Sequence, residues 1–127
     1  YLFMKSIIDG TPIKVFNNGN MERDFTYIDD IIMGLEKIID APPVDEIPYK
    51  IYNIGNSNPV NLMDFIHTIE KVTGKEAVKE YVDMQPGDVY RTYADISHLE
   101  KDFGYKPQTT IQKGIEFFYN WYVKYSN

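Results

Sequence analysis

The stretch GNMERDFTYIDD, from Gly19 to Asp30, constrains this chain more than any other, because a turn, an arginine and a helix start must fit into twelve residues. Ahead of it, Ile13-Lys14-Val15-Phe16 reads as a short strand. Asn17-Asn18-Gly19-Asn20 tolerates left-handed backbone angles, so the chain reverses there. Asp29 is placed to cap a helix beginning at Asp30. Arg23 stands between turn and helix, and its planar, permanently charged guanidinium suits a phosphate or a carboxylate. By residue chemistry it is either such a contact or a solvated surface charge.

The rest of the chain alternates helical and strand-like segments. Leu2 to Asp9 reads as the end of a helix stopped by Gly10. Ile31, Ile32, Leu35, Ile38 and Ile39 recur at helical spacing from Asp30 to Asp40, and Pro42-Pro43 opens a polar loop, expected to be mobile, that runs to Pro48. Lys50 to Gly55 reads as a buried strand entering a tight turn. Asn61 with Asp64 resembles a helix cap, Leu62, Phe65, Ile66, Ile69 and Val72 form a buried stripe, and Gly74 ends that helix. Ala77 to Val82 alternates as a strand, closed by the turn Gln85-Pro86-Gly87-Asp88. Ser97 with Glu100 reads as a capping box for a short helix ending near Phe103-Gly104. Ile111 to Tyr125 reads as the last helix, with Ile111, Ile115, Phe118 and Tyr122 on one face. The expectation is an α/β (α+β) chain of short strands and about five helices, residues 1–127 forming a single domain.

Composition narrows the function. A chain of 127 residues can bury roughly two thirds of its unfolded surface. The net charge of −6, with 13 dispersed basic residues, argues against nucleic acid. Zero cysteines excludes disulfides and thiolate chemistry and suits a cytoplasmic location. No apolar run approaches the length of a membrane span. The 8 glycines are never clustered, so no glycine-rich loop can cradle a dinucleotide. His67 and His98 show neither metal-pair nor triad spacing.

ERDFTYIDD, then Tyr52-Asn53-Ile54-Gly55, then Gln85-Pro86-Gly87-Asp88-Val89 with Thr92-Tyr93-Ala94-Asp95-Ile96, resembles the C-terminal, substrate-binding part of NAD-dependent nucleotide-sugar epimerases and dehydratases. These belong to the extended short-chain dehydrogenase superfamily, and the resemblance is greatest to UDP-glucuronate 4-epimerases. It implies that the chain corresponds to the smaller half, without the Rossmann half that holds NAD and the catalytic tyrosine and lysine. The Tyr1 to Lys5 Y-x-x-x-K spacing is a coincidence in a chain with eleven tyrosines. The resemblance places Arg23 on the diphosphate, Lys14 and Phe16 beside the uracil, and Asp88 on the ribose hydroxyls of a UDP-sugar. Relatives carry an arginine before the Pro-Gly-Asp turn, whereas Gln85 stands here, which weakens that contact or moves it to Arg91. From the residues themselves, Asp88 could equally stabilise its turn, Phe16 could be core, and Arg91 could be an exposed charge.

The implied function is to grip the UDP end of a sugar nucleotide, UDP-glucuronate in an epimerase or another in a dehydratase or decarboxylase, with NAD supplied by the parent enzyme. The chain itself would hold no cofactor or metal and no catalytic residue. Its partners would be the UDP-sugar and the Rossmann half, and apolar surface left open would favour self-association. A non-catalytic binding or interaction module is the alternative of another class.

Overall fold

A computed structural model describes residues 1–44 and 46–126. The chain forms α1 (Leu2–Asp9), β1 (Ile13–Phe16), a 3₁₀ turn (Asn17–Gly19), β2 (Glu22–Arg23), α2 (Ile28–Ile39), β3 (Val60–Asn61), α3 (Leu62–Thr73), β4 (Lys79–Val82), α4 (Ser97–Phe103) and α5 (Ile111–Tyr125). Five helices and short strands are what the apolar periodicities predict. Gly10, Gly74 and Gly104 each close a helix in the left-handed conformation. Asn17 and Asn18 have φ of 48° and 51° before Gly19 at 82°, the reversal expected of that run.

The main core gathers α1, β1, α3 and α5. Met4, Ile7, Val15, Ile66, Ile69, Ile115 and Tyr122 are buried there. Burying a side chain such as Ile66 or Ile69 contributes about 1.5–3 kcal/mol each. Asn61 caps α3 by accepting from the Met63 amide at 2.8 Å. Strand β1 pairs in parallel with β4, Ile13 opposite Lys79 and Phe16 opposite Val82. Strand β2 runs antiparallel to β3, and on its other side Glu22 bridges to Arg91. A second cluster joins Ile96, Leu99 and Tyr105 to Met33 and Ile38 of α2 and to Tyr52 and Ile54.

Three expectations are corrected. Helix α2 starts at Ile28 after Tyr27, and Asp29 does not cap it; the buried Asp30 instead turns inward and accepts from the Gln108 and Thr109 amides at 2.9 and 3.0 Å. Ser97 does not cap α4; the Asp95 carboxylate accepts from the Ser97 amide at 3.0 Å. Residues 50–54 form no ladder among the described residues, and Ile51 is exposed. The apolar stripe of α2 is partly open, in keeping with the apolar surface expected from the sequence: Gly34 is the point of closest packing, against Ile54 and Tyr105, and Ile28, Ile32, Leu35 and Ile39 face solvent. Asp45, inside the expected polar loop, lies outside the described residues.

Candidate functional site

Arg23 is on β2, flanked by β3 on one side and residues 90–92 on the other. The neighbouring segment is tied on by main-chain bonds, Glu22 amide to Tyr90 carbonyl at 2.8 Å and Thr92 amide to Glu22 carbonyl at 3.2 Å. This registers the Gln85–Asp88 turn above the arginine. The Arg23 guanidinium donates to the Glu22 carbonyl at 2.8 Å and the Tyr90 carbonyl at 3.4 Å, and one Nη2 donates to Asp88 Oδ1 at 2.7 Å. The same Asp88 oxygen accepts from the Val89 amide at 2.8 Å, and the Asp88 amide closes the turn on the Gln85 carbonyl at 3.1 Å.

Two of the residues singled out from the sequence, far apart in the chain, are therefore in direct contact. Their side chains keep 23% and 31% of their surface open, enough for a ligand to reach both. A guanidinium with five donors and a carboxylate with a second oxygen offer donors and acceptors side by side.

The other candidates are distributed differently. Arg91 pairs through Nε with Glu22 at 3.1 Å and lies 5.9 Å from the Tyr93 ring centre, so it is anchored beside the pair. Gln85 is exposed at the start of the turn. Lys14 is exposed and Phe16 half-buried on β1, opposite Glu80 and Val82 of the strand that leads into the turn. Among the described residues neither bonds to Arg23 or Asp88. A cavity of about 590 Å³ lies elsewhere and is lined by Tyr1, Phe3, Phe25, Phe65, Ile111 and Phe118 among others, with none of the six candidates. It is an apolar opening beside the main core, and the polar chemistry is at the pair.

Asp24, next to Arg23, shapes the surrounding loops. Its Oδ2 accepts from the Ser57 and Ala94 amides at 3.0 and 2.9 Å, and its own amide donates to Thr92 Oγ1 at 3.0 Å. Its Oδ1 is buried and has no hydrogen-bond partner among the described residues. Gly55 makes this knot possible, since a Cβ there would lie 2.3 Å from the Ala94 Cβ. The buried Tyr105 hydroxyl donates to the Gly55 carbonyl at 3.0 Å. Burial raises the Tyr105 pKa, and the carboxylates of Asp30 and Asp24 raise it further, so it remains a neutral donor.

The family described as GDP-mannose 4,6 dehydratase matches residues 2–118 of the chain. The chain belongs to this family. Protein CapI of Staphylococcus aureus is 45% identical over 98% of the chain and 42% of its own length. A probable UDP-glucuronate 4-epimerase of Rhizobium meliloti is 35% identical over 96% of the chain and 40% of its own length. The crystal structure of a Bacillus cereus UDP-glucuronic acid 4-epimerase with UDP-glucuronic acid and NAD superposes with a TM-score of 0.86, at 31% identity over 96% of this chain and 38% of that one. The chain is thus similar in sequence and in fold to UDP-glucuronate 4-epimerases, and it spans about two fifths of the length of these relatives.

The Bacillus cereus structure contains NAD, and the described residues here include no glycine-rich loop of the kind that cradles its diphosphate. Gly10, Gly74 and Gly104 close helices, Gly87 lies in a turn, and none of the eight glycines opens a helix as a diphosphate-cradling loop requires. No metal-binding group of acidic residues and histidines occurs among the described residues, and none of their helices is long and apolar enough to cross a membrane.

Proposed function

We propose that this chain is the nucleotide-sugar-binding part of an NAD-dependent 4-epimerase, gripping UDP-glucuronate while the hexose is left free to turn. The observation that carries this reading is the partly exposed Arg23–Asp88 pair at 2.7 Å. Arg23 keeps donors beyond those spent on Glu22, Tyr90 and Asp88, and these serve the diphosphate; the free Asp88 oxygen accepts from the ribose hydroxyls. Lys14 and Phe16 lie along the strand edge that would meet the uracil, Phe16 offering a stacking face. Gln85 supplies a neutral contact where relatives place a second cation. Arg91 reaches the site indirectly, by holding Glu22.

The role is positioning, and this part of the enzyme contributes no acid or base. Hydride chemistry, which NAD supplies in the epimerases, would fall to residues beyond these. The solvent-facing stripe of α2, Ile28, Ile32, Leu35 and Ile39, is where the NAD-binding half would dock. A dehydratase remains the second reading, favoured by the description of the matching family.

Calorimetric titration of UDP into the protein and into its Arg23→Ala variant tests the grip. A loss of roughly 1.5 to 3 kcal/mol is expected for a charge-assisted contact. Equal affinities would remove the diphosphate role.

A further inference from the structure

We infer that Asp88 makes the site selective for diphosphates that carry a ribose, by holding a fixed negative charge where bare phosphate or pyrophosphate would otherwise bind. The inference rests on the nucleotide-sugar reading above and adds to it a rule about which anions are refused.

The charges around Arg23 balance locally. Arg23 faces Asp88 at 2.7 Å and Arg91 faces Glu22 at 3.1 Å, while the turn that begins at Gln85 adds no cation of its own. The carboxylate is not a loose side chain that an incoming anion could sweep aside. One of its oxygens is held by both the guanidinium and the Val89 amide, and the turn is closed on the Gln85 carbonyl. An inorganic anion approaching Arg23 therefore meets a guanidinium already neutralised and a carboxylate that repels it. On a chain of net charge −6, distant residues provide no compensating attraction.

A ribose changes the sign of that carboxylate's contribution. Its two neighbouring hydroxyls are donors, and Asp88 Oδ2 has lone pairs available to them. The repulsion felt by the phosphates is then offset by contacts that pyrophosphate cannot make. Recognition of this kind resides in what the site disfavours as much as in what it binds.

The experiment is calorimetric titration of sodium pyrophosphate and of UDP into the wild-type protein, Asp88→Asn, Asp88→Ala and Arg23→Ala. Both Asp88 variants are expected to bind pyrophosphate about two- to fivefold more tightly than wild type, the range of a partly exposed ion pair, and UDP more weakly. The pyrophosphate gain should shrink as salt is raised. Pyrophosphate affinity that is unchanged or lower in both variants, with UDP still bound through Arg23, overturns the selectivity role and leaves the grip standing. UDP binding that is absent in wild type or indifferent to Arg23→Ala overturns the nucleotide reading, and the inference with it. Asparagine keeps an acceptor for the Val89 amide, so an effect shared by both variants belongs to the charge and not to a collapsed turn.

Discussion

Around Gly55 a few ångströms decide whether the site can assemble. The Ala94 side chain, the Asp24 carboxylate and the Gly55 backbone meet so closely that a methyl group at 55 would fall 2.3 Å from Ala94 Cβ and 3.2 Å from Asp24 Oδ2. Gly55→Ala is therefore expected to lower stability by about 1–3 kcal/mol through overpacking. The readout is a lower urea midpoint with an unchanged slope, and an unshifted midpoint would mean the segments part without cost. Arg23 and Asp88 stand out in the sequence as candidates because a guanidinium and a Pro-Gly-Asp turn carry their chemistry in their side chains, whereas their contact with each other does not show there. Asp24 reads from the sequence as a residue that shapes the loop, but its partners, the main-chain amides of Ser57 and Ala94, are ones that any residue would offer and leave no signal of their own. The part played by Asp30 is hidden for the same reason: Asp29 beside it reads as the helix cap, and the amides of Gln108 and Thr109 that Asp30 accepts from belong to a distant part of the chain.

Among the elements, α3 is the most fully specified by its own sequence. Its cap, its apolar stripe and its closing glycine are all local, and all appear as expected. Residues 50–54 fail as a strand because an apolar run describes a burial tendency, whereas a strand needs a neighbour with free backbone groups. Tyr52 packs instead across Phe103 at 5.4 Å, and Lys50 and the Tyr52 hydroxyl both donate to Asp102, which fastens the segment to α4 by side chains. Helix α3 is joined to β4 by a clasp in which the Glu70 carboxylate accepts from Lys79 and, at 2.9 Å, from the Ala77 amide. Burial would by itself raise the Glu70 pKa, but these donors, with His67 nearby, outweigh it and hold the carboxyl below its ordinary value. A lowered folded pKa means stability that is present above the unfolded value, about 4.3, and lost as pH falls through the folded one. Wild type should therefore lose melting temperature below about pH 4.3 more steeply than Glu70→Gln. Parallel acid profiles for the two proteins would exclude the clasp as a source of acid sensitivity.

At the scale of the whole molecule, two apolar clusters are present and one long apolar stripe is not covered. Ile28, Ile32, Leu35 and Ile39 lie on the solvent side of α2, with relative exposures of 58%, 44%, 42% and 74%. A chain that presents such a face is expected to self-associate. Sedimentation should show mass rising with concentration, and the double variant Ile32→Glu, Leu35→Lys should abolish the rise without lowering the melting temperature. A wild-type monomer at all concentrations would contradict this. The α2 periodicity was readable from the sequence, but which side of it faces inward was not. That is decided by Gly34, whose missing side chain lets Ile54 and Tyr105 approach.

The parallel pairing of β1 with β4 has a consequence in time. These strands come from opposite halves of the chain, and a parallel pair cannot be nucleated by a hairpin. Helices such as α3 can form from neighbouring residues, whereas this ladder must wait until the long intervening segment has been drawn in. The turn bearing Asp88 follows directly on β4, and Arg23 follows β1 after one reversal. Joining the two strands is thus the same event that brings the guanidinium to its carboxylate. A partly folded chain in which β1 and β4 are still apart, however helical, has no assembled Arg23–Asp88 pair to offer.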